Sequence, residues 1–261
     1  MSLEGYIIPQ EQLERLDNSS YSNHGFARTT KFHLINAPDF ATKTFNSTID
    51  LAVEIVNPSA VILSLDVFDL NIKSIAQIDE LQGQIITSDV IYNAKAEEGP
   101  LGQRLLIGLP KNTPLTKGQT LFYRIIYSTS PQASASQFLA PEQTGSGKYP
   151  YVYTQCQATH ARSLIPIQDS CTCKVPYTAS VTVDAPLFVI MSACLEGEPI
   201  NNGNKITYNY TQNIPIPPYL YALAIGEIET RKLGKRTAVY AEPGDIVVAE
   251  REYTGLEQQL E

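Results

Sequence analysis

The sequence predicts an all-β protein built from several sheets, with a short helical stretch at its C-terminal end. Segments in which apolar and polar side chains alternate with a period of two recur along most of the 261 residues, and Gly and Pro separate them at short intervals. Successive side chains of a strand point to opposite faces, so this pattern is typical of half-buried strands. Many short strands with Gly and Pro turns indicate β-sandwich-like layers.

The first strands are predicted to form a hairpin after a polar lead-in. Residues 1–26 make up this lead-in and are rich in Asn, Ser and Glu. In Thr48–Ile55 every second side chain is Ile, Leu or Val, so one face of the strand is apolar. Lys31–Ile35 precedes it, and Pro38-Asp39 predicts the turn between the two strands.

The remaining β pattern continues with short interruptions. Strands are predicted at Val61–Asp66, Leu70–Ile78, Arg104–Leu109, Thr120–Tyr127, Tyr177–Val183, Pro186–Cys194, Lys205–Gln212, Tyr219–Glu229 and Thr237–Ala241. Thr120–Tyr127 is apolar on both faces, which places it inside a sheet. Asn201–Asn204 has the composition of a hairpin turn. Ser130–Tyr151 is small, polar and glycine-rich, and we expect it to be irregular.

The C-terminal segment has helical periodicity. Pro243-Gly244 ends the β pattern, and Tyr253, Leu256 and Leu260 then share one face of a helix for which Asp245 can serve as N-cap. An amphipathic helix with nothing left to pack against suggests a truncated boundary. We therefore expect an all-β domain over 27–243 and the start of a further domain over 244–261.

Charge and composition exclude several function classes. The net charge is −8 and the sequence pI is near 5.0, so nucleic acid is not an expected partner. The basic run Arg231–Arg236 fits a turn with solvated flanks. The N-terminus does not resemble a signal peptide, and no stretch approaches the ~20 apolar residues of a membrane span. These features favour a cytoplasmic location without a membrane partner.

Few catalytic chemistries fit a chain with three His and four Cys. No His-Glu-x-x-His, Gly-x-Ser-x-Gly, phosphate-loop or dinucleotide motif occurs. Cys156, His160, Cys171 and Cys173 are residue types that suit zinc, but their spacing does not match the usual pairs of ligands. Free thiols are the favoured interpretation, and a zinc site, a disulfide or a reactive thiol remain alternatives.

The densest polar segment is Tyr151–Ser163, which contains two Gln, a His and an Arg among aromatic residues. If this segment is a strand, Gln155 and Gln157 point to one face, where their carbonyls can accept hydrogen bonds from an ammonium group. The alternative is a polar strand whose amides satisfy the neighbouring backbone.

Several motifs resemble those of a known family, in the family's order, from about Phe32 to the C-terminus. They are Pro141–Thr144, Gly147–Tyr151, Thr154–Ala158, Ile165–Asp169, Met191–Ala193, Ile214–Leu220 and Gly234–Tyr240. This set resembles the N-terminal domain of the leukotriene-hydrolase branch of the M1 zinc aminopeptidases.

The resemblance implies a saddle-shaped all-β domain that lies over a separate catalytic domain. In the wider family the segment reads Thr-Gln-x-Glu-x-x-x-Ala-Arg, and its Glu binds the free amine of the peptide substrate. Gln157 stands at that position here, so the resemblance implies Gln155, Gln157 and Ala158 as substrate-binding residues. Ile167 departs from the leukotriene hydrolases, which usually carry Cys there.

No catalytic or metal-binding residue is expected in this chain, because the family's Gly-x-Met-Glu-Asn motif and zinc helix are missing from it. The resemblance places both motifs and the zinc in the catalytic domain, which would be the partner in cis. The parent protein would be a metallo-aminopeptidase, and epoxide hydrolysis also occurs in the family. The alternative function is a stand-alone β-sandwich binding module without a catalytic partner.

Overall fold

The computed structural model describes residues 2–15 and 17–260 and is dominated by β-structure. Its strands are β1 Ala27–Asp39, β2 Thr44–Ile55, β3 Ile62–Val67, β4 Asn71–Ile78, β5 Ile85–Thr87, β6 Tyr92–Gly99, β7 Gly102–Gly108, β8 Thr120–Ser128, β9 Ser136–Leu139, β10 Tyr151–Thr154, β11 Val175–Asp184, β12 Phe188–Met191, β13 Cys194–Leu195, β14 Ile200–Asn202, β15 Lys205–Ile216, β16 Leu223–Gly226, β17 Glu229–Lys232 and β18 Ala238–Ala241. Two short helices follow, α1 Ile246–Glu252 and α2 Leu256–Gln259. The predicted all-β, multi-sheet fold with a helical C-terminal segment is confirmed.

The strands that the structure describes form four sheets. The largest has nine strands in the order β13-β15-β11-β1-β2-β8-β4-β5, with β14 also paired to β15. A three-stranded sheet has the order β3-β7-β6, a four-stranded sheet the order β12-β16-β10-β9, and β17 pairs with β18. Within the described residues, β1 and β11 form a parallel pair and the other strand pairs are antiparallel.

The predicted hairpin forms the centre of the large sheet, and its turn lies later than expected. Strands β1 and β2 pair from Ala27 opposite Ile55 to Asp39 opposite Thr44. Pro38 therefore lies within β1, beyond the part of that strand that pairs with β11. The turn begins after Asp39, whose Oδ1 accepts hydrogen bonds from the backbone amides of Ala41 and Thr42 at 2.9 and 3.1 Å. A carboxylate that caps its own turn in this way displaces the turn from the proline.

Other predictions for the β pattern are mostly confirmed. Strand β8 lies inside the large sheet between β2 and β4, and β11 buries alternate side chains as expected. Asn202 pairs with Lys205, so the predicted hairpin turn is present. The expectation that 130–151 is irregular was wrong in part, because β9 lies within it and pairs with β10. This strand has four residues with little burial, and such a strand leaves no alternation to detect.

The polar lead-in packs on the three-stranded sheet. Leu3 and Leu13 form a buried cluster with Ile62 and Leu106. Gln12 is fully buried, donates from its side-chain amide to Ser59 O at 2.8 Å, and accepts from the amide of Val61 at 3.0 Å. Both the nitrogen and the oxygen of its buried side-chain amide are therefore hydrogen-bonded, as burial of a polar group requires.

The C-terminal helix is divided into two parts. Residues Tyr253–Gly255 form a turn between α1 and α2, so the continuous helical face expected for 253–260 is wrong. Gly255 interrupts the segment, since Gly is a poor helix former. The Asp245 side chain makes no capping hydrogen bond. Helix α1 packs on the β17–β18 hairpin. The basic run Arg231–Arg236 covers the end of β17 and the turn that follows it, so the predicted turn is present.

Neither helix in the described part of the chain has the length and apolar character needed to cross a bilayer.

Candidate functional site

The three residues implied as substrate-binding lie in one exposed turn directly after β10. That strand is held between β9 and β16, and its Val152 is fully buried. At its end the Thr154 hydroxyl accepts a hydrogen bond from the amide of Leu223 at 2.8 Å. The amide of Gln155 donates to Ala135 O at 2.8 Å, and regular pairing then stops.

The side chains of Gln155, Gln157 and Ala158 are exposed in this turn. Strand β10 ends at Thr154, so Gln155 and Gln157 do not lie on one face of a strand, as the sequence suggested they could. Gln155 Oε1 instead accepts a hydrogen bond from the backbone N–H of Gln157 at 3.2 Å, so the Gln155 side chain folds back onto the turn. The Gln157–Ala158 peptide bond is cis. The Gln157 side chain makes no hydrogen bond within the described residues, so its amide group is free to bind a ligand.

The residues around the turn hold its backbone in place. The carbonyl of Cys156, a residue that is 1% exposed, accepts from the amide of His160 at 2.9 Å. The Ser163 hydroxyl donates to His160 O at 2.8 Å and accepts from the amide of Ala135 at 3.0 Å. His160 Nδ1 also lies 2.8 Å from the Ser134 hydroxyl. The turn is thus fixed to the loop before β9 on one side and to residues 160–163 on the other.

A buried ionic cluster anchors the end of the turn. Arg162 is 2% exposed, and its guanidinium donates to Asp169 Oδ2 at 3.0 Å and to the carbonyls of Leu101 and Ser19 at 2.7 and 2.6 Å. Asp66 Oδ1 lies 3.7 Å from Arg162 Nη1, and Asp66 is fully buried. Buried charges persist when they are paired and hydrogen-bonded, as they are here.

Asp66 extends this cluster to the lead-in. Its carboxylate accepts hydrogen bonds from the Ser20 hydroxyl at 2.5 Å, from the amide of Tyr21 at 2.6 Å and from the amide of Asp169 at 2.8 Å. Arg162 and Asp66 therefore join the lead-in, strand β3 and the turn after β10. The position of the candidate site depends on contacts between segments far apart in sequence.

Burial controls the protonation of the groups near the turn. It raises the pKa of the Cys156 thiol to about 12 and that of the Cys173 thiol to about 11, so both stay protonated near neutral pH. Burial also raises the pKa of Asp169, and the charge of Arg162 opposes this effect. The four cysteines are unpaired, with Cys171 and Cys194 exposed.

Among residues 2–15 and 17–260, no group of three or more His, Cys, Asp or Glu side chains is arranged to hold a metal ion. The four residues considered as zinc ligands are thus not assembled into a site, and two of their thiols are protonated. The side chains that the structure describes therefore do not fit a zinc site.

The arrangement can accept hydrogen bonds from a ligand. Two exposed amide carbonyls lie at one turn, and each can accept from an ammonium group. An uncharged carbonyl binds an ammonium less strongly than a carboxylate does. The backbone anchors of the turn reduce the conformational freedom that binding would otherwise remove.

The buried cluster behind the turn was not predicted from the sequence. Arg162 stood in the dense polar segment without a role, and Asp66 was the last residue of a predicted apolar strand. A charged residue at the end of a strand otherwise made of Val, Ile, Leu and one Ser was the available signal. Its partners cannot be read from spacing, because Asp66 lies 103 residues from Asp169.

Comparisons with known proteins agree on one family. A family model described as "Peptidase M1 N-terminal domain" matches residues 28–220. Leukotriene A-4 hydrolase of Xenopus laevis is 35% identical over 246 residues, covering 94% of this chain and 39% of the relative. Leucine aminopeptidase 2 of Yarrowia lipolytica is 31% identical over 249 residues, covering 94% of this chain and 35% of the relative. The chain thus spans a little over a third of the length of these relatives.

Solved structures have the same fold. Native yeast LTA4 hydrolase superimposes with a TM-score of 0.79 at 26% identity, covering 97% of this chain and 38% of that one. An M1 zinc metallopeptidase from Deinococcus radiodurans gives a TM-score of 0.64 at 21% identity, covering 84% of this chain and 47% of that one. The second likeness concerns the fold alone.

Proposed function

Since the chain belongs to the M1 peptidase family and matches that family's N-terminal domain, we propose that it is the non-catalytic N-terminal part of a zinc-dependent aminopeptidase similar to leukotriene A4 hydrolase. In this proposal the turn after β10 binds the free amino terminus of a peptide substrate. The single observation that carries it is the exposed Gln155–Gln157 turn, which is open to a ligand and fixed from behind by Arg162.

Each residue of the turn has a distinct task in the proposal. Gln157 accepts a hydrogen bond from the substrate ammonium through its free side-chain carbonyl. Gln155 supports the backbone of Gln157, because its side-chain Oε1 accepts a hydrogen bond from the backbone N–H of Gln157 at 3.2 Å. Ala158 presents a small side chain that leaves room beside the amine. The substrate gains hydrogen bonds that depend on a free amino group, so N-acetylated peptides would lose them.

The C-terminal segment supports a partner domain in cis. Val247, Val248 and Tyr253 are 59%, 64% and 52% exposed in a segment that is otherwise folded onto the β17–β18 hairpin. Exposed apolar patches of this kind mark interaction surfaces. We propose that residues 244–261 begin a catalytic domain that covers these side chains and holds the zinc. The location proposed for the whole protein is the cytoplasm.

The test is to express the reading frame through its stop codon, beside the chain ending at Glu261, and to assay both on L-leucine p-nitroanilide. We expect a His-Glu-x-x-His motif within roughly the next hundred residues and hydrolysis by the long protein that a zinc chelator abolishes. The 261-residue chain should give no hydrolysis above the blank. Chelator-sensitive turnover by that chain alone would refute the non-catalytic assignment, and a stop codon directly after Glu261 would favour a stand-alone binding module.

A further inference from the structure

A cleft is lined by residues from both the large sheet and the three-stranded sheet. It has a volume of about 300 Å³ and is bordered by β4, the segment after β5, the end of β7 and the residues that follow it. None of its lining residues belongs to the turn after β10. The cleft is therefore a separate site, and a ligand bound there is independent of the function proposed for the turn.

A buried tyrosine without a hydrogen-bond partner lines this cleft. Tyr123 is 1% exposed, and its hydroxyl makes no hydrogen bond within the described residues. Tyr127, on the same face of β8, donates its hydroxyl to Leu164 O at 2.9 Å. Buried hydroxyl groups are nearly always paired, so an unpaired one needs an explanation. A ligand that fills the cleft would supply the missing partner.

The part of the cleft wall formed by Tyr6 and Lys111 is held in a fixed position. The Tyr6 hydroxyl donates to Leu109 O at 2.8 Å, and its ring occupies the space beside Gly108, where a Cβ would overlap the ring. Lys111 Nζ lies 3.7 Å from the centroid of that ring and donates to the carbonyl of Gly5. The lead-in thus closes one side of the cleft and holds an ammonium group at its rim.

Both charge signs line the cleft together with apolar side chains. Asp89 and Lys111 provide one carboxylate and one ammonium, while Val90, Ile91 and Leu109 provide apolar surface. Gln77 is the cross-strand neighbour of Tyr123 and adds an amide to the lining of the cleft. A ligand that satisfies all of these groups carries an anion, a cation and an apolar part. The volume is at the lower end for ligand sites, which favours a molecule the size of an amino acid.

We propose that this cleft binds a free α-amino acid with an apolar side chain. The ligand carboxylate pairs with Lys111 and accepts the hydrogen bond of the Tyr123 hydroxyl. The ligand ammonium pairs with Asp89, and the side chain packs on Val90 and Ile91. Charge-assisted hydrogen bonds at both ends give the site its preference for a zwitterion.

The experiment is an NMR titration of the ¹⁵N-labelled chain with L-leucine, N-acetyl-L-leucine and L-leucinamide. We expect saturable shifts from L-leucine in the amides of residues 87–91 and 108–113, and at least fivefold weaker binding of both blocked analogues. Asp89→Asn and Tyr123→Phe should each weaken L-leucine binding at least fivefold. Gln157→Ala, in the separate turn, should leave it unchanged.

Comparison of Tyr123→Phe with Tyr127→Phe distinguishes an effect on ligand binding from an effect on folding. Tyr123→Phe should keep the melting temperature of the free protein, because the hydroxyl it removes has no partner, while Tyr127→Phe should lower it. L-leucine should raise the melting temperature of the wild type more than that of Tyr123→Phe. The proposal is overturned if L-leucine gives no saturable shift up to about 50 mM, if either blocked analogue binds equally well, or if Gln157→Ala abolishes the shifts.

Discussion

The buried cluster behind the turn after β10 leads to a quantitative prediction for Arg162→Met. The substitution keeps an unbranched apolar stem and removes a guanidinium that is 2% exposed and pairs with Asp169 at 3.0 Å. It also removes the donors to Leu101 O and Ser19 O, and it leaves the carboxylate of Asp66 without its nearest cation. Breaking a buried ion pair by removing one partner costs about 3–5 kcal/mol.

That cost is large beside a total stability of about 5–15 kcal/mol for a typical protein. At about 2–4 °C per kcal/mol for a chain of this size, we expect a melting temperature lowered by roughly 10 °C. The matched control is Arg28→Met, which removes an ion pair to Glu54 whose side chains are 43% and 25% exposed. An exposed pair of this kind contributes about 0–1 kcal/mol.

The assay is thermal and urea unfolding, both followed by circular dichroism, since the chain contains no Trp. Hydrogen exchange gives a second readout, because the amides of Tyr21 and Asp169 both donate to Asp66 and should lose protection in Arg162→Met but not in Arg28→Met. A loss of less than about 1 kcal/mol in Arg162→Met, or an equal loss in Arg28→Met, would refute the reasoning.

Three further predictions concern the backbone, the response to acid and the thiols. Gly102→Ala should destabilise the protein by about 2–4 kcal/mol, because Gly102 has a φ of +90° and a Cβ there would lie 2.5 Å from a backbone oxygen. Gly118→Ala, at a φ of +83° with nothing within 4 Å, should cost only about 1 kcal/mol in the same urea unfolding assay. Burial lowers the pKa of His33 below 6.5, so the unfolded chain binds its proton more readily and stability falls as the pH drops below about 6.5. His33→Gln should flatten that fall between about pH 7 and 5, and an unchanged slope would contradict it. Native protein should show two thiols that react quickly with Ellman's reagent, Cys171 and Cys194, and four in denaturant; four fast thiols in the native state would disprove the burial of the other two.

The sequence predicts the fold well where one face of a strand is buried and the other is not. Tyr177–Val183 is the example, because burial of alternate side chains leaves a period of two in the sequence. Thr48–Ile55 has the same period and forms a strand, but Asp50 and Ala52 on its other face are buried as well. Strand β9 leaves no such period, since it has four residues and little burial. The turn after Asp39 was misplaced because a side-chain hydrogen bond, and not the neighbouring proline, determines where the chain reverses.

The sequence predicts the residues of the candidate site but not the contacts that hold them in place. The polar composition of Tyr151–Ser163 and its resemblance to a family motif identify Gln155 and Gln157. The turn is fixed by the loop before β9 and, through Arg162, by the lead-in and β3, and these contacts depend on tertiary packing that no local pattern records. The same holds for the Tyr123 cleft, whose walls belong to segments more than 100 residues apart along the chain.

Recognition of the substrate amine by the turn after β10 is tested by the kinetics of Gln157→Ala in the protein expressed through its stop codon. The assay compares kcat and KM for a dipeptide amide with a free amino terminus, beside Gln84→Ala, which removes an exposed amide before β5. We expect a KM raised by about tenfold in Gln157→Ala, the equivalent of one hydrogen bond to a charged group. We also expect an unchanged melting temperature, and wild-type kinetics in Gln84→Ala. Equal KM values for Gln157→Ala and the wild type would contradict the assignment of this turn to recognition of the substrate amine.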